Sequence, residues 1–244
     1  MKVIERPSPN FNAREGVPGP DILVMHYTGM TTCEEAVARL TDAASKVSAH
    51  YTVDEDGTIY AHVPENMRAW HAGASSWRGL SDVNTRSVGI EIVNPGHAFG
   101  YRPFPEAQIA AVLELGKAIV ARHRTPARNV VGHSDVAPDR KEDPGELFPW
   151  KRLAEAGLGL WVEASDGGDA ALAPGATGDR VTALQGALAH YGYGVQATGR
   201  FDNFTRLCVI AFQRHFRPAK FDGVADEETL AILRALRGRL DAVA

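Results

Sequence analysis

Val130-Val-Gly-His-Ser-Asp-Val-Ala-Pro-Asp-Arg-Lys-Glu-Asp-Pro-Gly-Glu-Leu-Phe-Pro-Trp150 is the stretch around which the rest of the chain arranges itself. Its β-branched start, 129–132, reads as a short strand that delivers His133 at its C-terminal end. Pro138, Pro144 and Pro149 are expected to hold the loop that follows away from helix, since proline lacks an N–H and restricts the residue before it. Lys141 and Asp143 lie two apart, so extended backbone would turn both side chains to one side. An imidazole, an ammonium and a carboxylate on one face of a stiff loop suit a metal site with a positive helper beside it.

Working outward, the other strands carry the same stamp. Ile22-Leu-Val-Met-His-Tyr-Thr28 is a near-continuous apolar run, as expected of a strand buried on both faces, and it ends at His26. Ser87-Val-Gly-Ile-Glu-Ile-Val93 is a third such strand with one carboxylate, Glu91, in its middle. Alternation puts Val88, Ile90 and Ile92 on one face and Gly89, Glu91 and Val93 on the other, with Gly89 leaving room for a ligand. Two β-rich runs flank Asp56-Gly57, a strong hairpin signal. Ala69-Trp-His-Ala-Gly73 reads as a further short strand or loop. Thr32 with Glu35 makes a capping box opening a helix to about Ala44. Ile109, Val112, Leu115, Ile119 and their neighbours make an apolar helical face between Pro105 and Arg124. A last helix closes the unit from about Trp150 to Ala156. Residues 1–20, rich in Pro, Asn and Gly, read as an irregular arm. Strands alternating with helices predict an α/β unit with one central mixed sheet flanked by helices, over 1–162.

From 163 to 178 the composition shifts to Ala, Gly, Asp, Ser and Pro, which reads as a linker. A flexible linker of this length would span about 20–25 Å. Residues 179–244 show three helical patterns, carried by Val181, Leu184, Leu188 and Tyr191, by Val209 and Phe212, and by Ile232, Leu233 and Leu236. They predict a small all-α unit of three helices, just large enough to fold alone.

Composition excludes several classes. In 244 residues, 44% hydrophobic and 23% charged content is ordinary for a globular protein. A net charge of -4 leaves no electrostatic footprint for nucleic acid. Two distant cysteines, Cys33 and Cys208, make neither a disulfide framework nor a zinc finger. The first ten residues lack the apolar core of a signal peptide, and no run of about 18 apolar residues is present to span a bilayer. A monomer is expected.

Nine histidines need sorting. His123, His190 and His215 fall in helical segments and are expected at the surface or a boundary. His97 lies in a Gly/Pro-rich loop, and His50 and His62 flank the hairpin as structural residues. His26 and His133 each end an apolar strand, where open α/β sheets gather their sites. With Asp143 they would supply the three ligands a hydrolytic zinc takes. Alternatively, Asp143 merely pairs with Lys141 or Arg140 in a solvated loop; residue types alone leave both open. Beside such a metal, Glu91 would serve as general base and Lys141 would stabilise an oxyanion.

Taken together, Val24-Met-His-Tyr-Thr28, Ser48-Ala-His-Tyr51, Ala69-Trp-His-Ala-Gly73, Val88-Gly-Ile-Glu-Ile92, Val131-Gly-His-Ser134 and Arg140-Lys-Glu-Asp-Pro-Gly145 resemble the type-2 zinc-dependent N-acetylmuramoyl-L-alanine amidases. Those enzymes share a fold with the peptidoglycan recognition proteins. The resemblance runs over roughly residues 5–158. It implies Zn2+ on His26, His133 and Asp143, Glu91 as catalytic acid/base, and Lys141 as transition-state stabiliser. It implies hydrolysis of the amide between the lactyl group of N-acetylmuramic acid and L-alanine, with His71, Trp70 and Tyr27 on the substrate groove. Asp179-Arg-Val-Thr-Ala-Leu-Gln-Gly-Ala-Leu188, Gly199-Arg-Phe-Asp202 and Asp222-Gly223 similarly resemble a three-helix peptidoglycan-binding module. Its implied partners are peptidoglycan or muropeptides. Such a module favours the periplasm or cell envelope, whereas the lack of a signal core keeps the cytoplasm open. The rival reading is a recognition protein of the same fold that binds muropeptides and cuts nothing.

Overall fold

The apolar run Ile22–Tyr27 sits inside the main sheet of the computed structural model, which describes residues 2–164 and 170–242. In chain order the strands are β1 (Val3–Glu5), β2 (Phe11–Ala13), β3 (Ile22–Tyr27), β4 (Tyr51–Val53), β5 (Ile59–Ala61), β6 (Met67–Ala69), β7 (Ser76–Trp77), β8 (Leu80–Ser81), β9 (Ser87–Ile92) and β10 (Val130–Gly132). The helices are α1 (Cys33–Thr41), α2 (Val83–Arg86), α3 (Gly96–Phe99), α4 (Glu106–His123), α5 (His133–Val136), α6 (Trp150–Glu155), α7 (Asp179–Tyr191), α8 (Asn203–Phe216) and α9 (Glu227–Asp241). Six strands build the main sheet in the order β1-β5-β4-β9-β3-β10. β4, β9, β3 and β10 run parallel, and β5 reverses against β4 around Asp56-Gly57, so the sheet is mixed.

The alternation of β3 and β9 divides their side chains between two faces. Leu23, Met25, Val88, Ile90 and Ile92 pack against Ile109, Val112, Leu115 and Ile119 of α4. Each such residue removed from water contributes about 1.5–3 kcal/mol. Leu158 lies so close to Gly116 that a Cβ there would meet it at 2.5 Å. On the opposite face lie Ile22 and Val24 and, at the C-terminal ends of the strands, the polar groups described below. Thr32 caps α1 by accepting from Glu35 N at 3.2 Å, and α1 stops at Thr41, a turn short of the expected Ala44, before a 3-10 turn at Ala43–Ser45.

Three expectations change. The irregular arm 1–20 contains β1, paired with the sheet edge at β5, and β2, paired with β6. Strands of three residues carry too little periodicity to be seen; their partners define them. The loop after β10 first makes one helical turn, α5, before Pro138 intervenes. Finally, the segment expected to be a linker does not run free throughout. Residues 165–169 lie outside the described residues, but Leu172 bridges to Ala225 and Thr177 to Arg200, laying 170–178 along the helical unit.

Helices α7, α8 and α9 repeat one device. Gln185 bonds Arg200 O and Gly199 N, and Gln213 bonds Val224 O and Gly223 N. Asp202 and Asp226 then cap the next helix by accepting from Thr205 N at 2.8 Å and Thr229 N at 3.1 Å. Such caps are worth about 1 kcal/mol each. The helical unit is docked: Trp77, Val131 and Val136 share one buried cluster with Tyr191, Tyr193 and Phe212. Among the described residues no helix is long and apolar enough to cross a membrane.

Candidate metal centre and active site

β3, β9 and β10 end side by side, and their C-terminal ends form the floor of a cavity of about 550 Å³. All eight residues singled out from the sequence line it: His26, Tyr27, Trp70, His71, Glu91, His133, Lys141 and Asp143.

His26, His133 and Asp143 converge at its base, at 1%, 3% and 6% exposure. His26 Nδ1 is 2.9 Å from His133 Nδ1 and 3.1 Å from Asp143 Oδ2, and His133 Nδ1 is 3.0 Å from the same oxygen. The alternative pairing of Asp143 with Arg140 is not formed, because Arg140 donates instead to the carbonyls of Ala72 and Ala74.

The partners assign the imidazole protons. Ser87 Oγ donates to Val83 O at 2.7 Å, so it accepts from His71 Nε2–H at 3.1 Å. His71 Nδ1 therefore carries a lone pair and accepts from His26 Nε2–H at 3.0 Å. His133 Nε2–H donates to Ala72 O at 3.1 Å. In the neutral imidazoles both Nδ1 lone pairs then face one carboxylate oxygen with no proton between them. Burial and the neighbouring His133 pull His26 down to about 4, so a proton does not readily fill the gap. Burial pushes Asp143 up, but His133 and His26 outweigh it and hold the carboxyl well below its usual range. Two imidazole nitrogens and a carboxylate oxygen are zinc donors, and a tetrahedral ion with bonds of about 2.0–2.1 Å separates its ligands by roughly 3.3 Å. The donor set fits a zinc ion.

Glu91 is His26's register partner on the neighbouring strand, with Thr52 opposite it on the other side. Among the described residues its Oε2 is buried without a hydrogen-bond partner. Burial, then Asp143, push its carboxyl up to about 8 against the opposing pull of Lys141. A carboxyl with one orphaned oxygen beside an open cavity is poised to exchange protons with what enters it.

Gly89 does not make room for a ligand, as its place beside Glu91 suggested. A Cβ there would meet the His71 ring at 2.6 Å, so the missing side chain seats His71. His71 lines the cavity, yet both its ring nitrogens are engaged in orienting His26. Trp70 Nε1 donates to Asn12 at 2.7 Å, and the Tyr27 hydroxyl meets His97 Nδ1 at 3.1 Å. His50 has the structural place expected of it, held between Arg14 and Gly89 N. His215, expected near the surface, is 2% exposed and bonded to Asp135, because α8 has a second face packed on the α/β unit. Sequence reading missed Ser87 and Asp135; a serine opening a strand and an aspartate in a turn carry no distinguishing signal.

A family profile described as N-acetylmuramoyl-L-alanine amidase matches residues 16–146, more than half of the chain. The chain belongs to this family. A profile for a peptidoglycan binding domain matches residues 177–233. The N-acetylmuramoyl-L-alanine amidase AmiD of Escherichia coli is 41% identical over 238 residues, 92% of this chain and 84% of that protein. Its solved complex with anhydro-N-acetylmuramic acid-L-Ala-D-gamma-Glu-L-Lys superposes with a TM-score of 0.77 at 38% identity, covering 94% of this chain and 98% of that one. AMPDH3 from Pseudomonas aeruginosa, solved with anhydromuramic pentapeptide, gives a TM-score of 0.76 at 34% identity over 93% of this chain and 96% of the other. The 1,6-anhydro-N-acetylmuramyl-L-alanine amidase AmpD of Citrobacter freundii is 34% identical over 164 residues, 60% of this chain and 86% of its own length. The family thus spans the α/β unit alone and the α/β unit with helices attached.

Proposed function

We propose that this protein is a zinc-dependent N-acetylmuramoyl-L-alanine amidase that cleaves the bond between N-acetylmuramic acid and the L-alanine of a peptidoglycan stem peptide. The observation that carries the reading is the convergence of His26 Nδ1, His133 Nδ1 and Asp143 Oδ2 within about 3 Å of one another, in the cavity that also holds Glu91. These three side chains would hold the zinc. Bound there, zinc supplies Lewis acidity and lowers the pKa of water from about 15.7 to about 7.

The chain's own groups supply the rest. Glu91, whose Oε2 is left without a partner among the described residues, accepts a proton as water attacks the lactyl carbonyl and returns it to the departing L-alanine amine. Lys141, at the rim of the same cavity, opposes the negative charge that grows on the carbonyl oxygen. His71 fixes the tautomer and orientation of His26 through the Ser87 relay. Tyr27 and Trp70 offer ring surface for the sugar and the first peptide residues. The helical unit over 179–244 would bind peptidoglycan and raise the local concentration of bonds to be cut.

The test is a product assay. An anhydro-muropeptide is incubated with the protein, with chelator, and with zinc restored, and the products are weighed by mass spectrometry. Free stem peptide beginning at L-alanine, lost with chelator and regained with zinc, is expected. Muropeptide that co-purifies uncut would instead identify a recognition protein, and cuts within the peptide would identify a peptidase.

A further inference from the structure

We propose that Tyr193, Arg214 and His215 of the helical unit are positioning residues for the metal ligands His133 and Asp143, which makes that unit part of the active site's scaffold. The proposal rests on the zinc reading above.

Asp135 joins the two units. It stands two residues after His133 in the single turn of α5 and is 1% exposed. Its carboxylate receives three donors: Gly132 N at 2.7 Å, the Tyr193 hydroxyl at 2.6 Å and His215 Nδ1 at 2.7 Å. Two of the three come from the helical unit. A carboxylate this deeply buried is tolerable only when it is well bonded, so the α/β unit by itself leaves Asp135 short of partners. A four-residue helix also has no stability of its own and takes its geometry from what holds it. His215 is held in turn, stacked on Trp150 with ring centres 3.8 Å apart.

The effect reaches both ligands. Ser134 N, in the same turn, donates to Asp143 O at 2.9 Å, so displacement of α5 pulls on the backbone that carries Asp143. A second strut meets that loop directly. Arg214 Nη2 donates to Glu142 Oε2 at 3.1 Å, and its Nε lies 3.6 Å from Glu146 Oε2. Glu142 sits between Lys141 and Asp143. Arg214 of α8 therefore holds the residue between two functional positions, Lys141 and Asp143.

The decisive experiment compares full-length variants that remove donors while keeping bulk: Tyr193→Phe, Arg214→Gln and the two combined. Arg239→Gln is the control, because Arg239 also bridges the two units, to Trp161 O at 3.0 Å, but is not one of the residues that line the cavity. Zinc affinity is read by competition with a chelator, folding by circular dichroism and metal-free Tm, and kcat and KM at saturating zinc. The double variant should stay folded and bind zinc about 10–100-fold more weakly, the usual loss when a ligand's outer partners are removed. Its kcat should fall by a larger factor than KM rises, since the contacts removed support the metal ligands. Arg214→Lys should recover part of the loss, and Arg239→Gln should match the wild type. Unchanged zinc affinity in the double variant overturns the proposal, as does an equal loss in Arg239→Gln, which would indicate general loosening. A wild type that binds no zinc would sink the zinc reading itself, and the proposal with it, before any variant is compared.

Discussion

His26 and Glu91 are register partners on adjacent parallel strands, β3 and β9, and both side chains leave the sheet on the cavity side. The proposed metal ligand and the proposed proton carrier are therefore set side by side by backbone hydrogen bonding. Only the other two proposed ligands, His133 and Asp143, depend on a turn and a loop.

Replacing Glu91 by Gln should separate stability from activity. In the metal-free fold burial raises the Glu91 carboxyl to about 8, above the ordinary 4.5. Below about 4.5 folded and unfolded chains are both protonated and no cost exists. As pH rises toward 8 the unfolded chain ionises first, so the fold loses stability over that window. At 1.36 kcal/mol per pKa unit, the cost near neutral pH is on the order of 3 kcal/mol. Glu91→Gln removes it. The metal-free variant should melt higher than wild type at pH 7, equal it at pH 4, and turn over at least about 100-fold more slowly. Equal melting curves at both pH values would show that Glu91 is not held neutral.

Asp143→Ala should lose metal and activity together. Its oxygen is the point that both Nδ1 atoms share, and two imidazoles alone make a weak and open zinc site. Metal analysis after dialysis should find the variant largely empty under conditions that keep wild type loaded. Full zinc occupancy in the variant would remove Asp143 from the ligand set.

Gly89→Ala is expected to act through His71. The added methyl would stand 2.6 Å from the imidazole, which must swing away and release His26 Nε2. Overpacking of this kind costs about 1–3 kcal/mol, and a lost outer partner weakens metal binding about 10–100-fold. Ser87→Ala, which breaks the relay without adding bulk, should reproduce the weaker binding with less loss of stability. Chelator competition and thermal melts on both variants check this. Tight zinc binding in Gly89→Ala would mean that His71 does not orient His26.

How much of this was legible in the sequence follows from how local each feature is. The apolar runs of β3 and β9 are visible because burial on both faces leaves few polar residues, so His26 and Glu91 stand out as exceptions. His133 is marked by its place at the end of a β-branched strand, whereas Asp143 shares its loop with Asp135, Asp139, Glu142 and Glu146 and is singled out only by the family resemblance. β1 and β2 were not, because three residues have no period and only β5 and β6 give them a register. The role of His71 was hidden because it depends on which ring nitrogen carries a proton, which in turn depends on Ser87 and Val83. The buried place of His215 was hidden because helical periodicity marks one apolar face, and α8 uses two.

Glu65 offers a test away from the site. Burial raises its carboxyl, but Arg122, Tyr51 and His123 outweigh this and bring it down to about 2. Its folded value is thus below the unfolded one, so its contribution is present in full above about 4.5 and is lost as pH falls toward 2. Hydrogen bonds to a charged group contribute about 1.5–3 kcal/mol. Glu65→Gln should lower stability by that order at pH 7 in urea unfolding, and the gap to wild type should close as pH approaches 2. A gap independent of pH would assign the loss to packing.

Trp77 tests whether the two units behave as one. Its ring is 1% exposed and meets Tyr191 and Tyr193 edge-on, with centres 5.6 and 5.5 Å away. Gly192 has no side chain where the indole passes; a Cβ would meet it at 2.5 Å. The ring thus fills a socket that both units build, and neither can close it alone. Trp77→Ala should cost about 3–5 kcal/mol, the range for emptying such a site. Because the lost contacts lie between the units, the cost should appear as uncoupling: one calorimetric transition in wild type, and in the variant a helical unit that melts before the α/β unit. A variant that still unfolds in a single, merely lower transition would place the coupling elsewhere, in the Asp135 and Arg214 contacts.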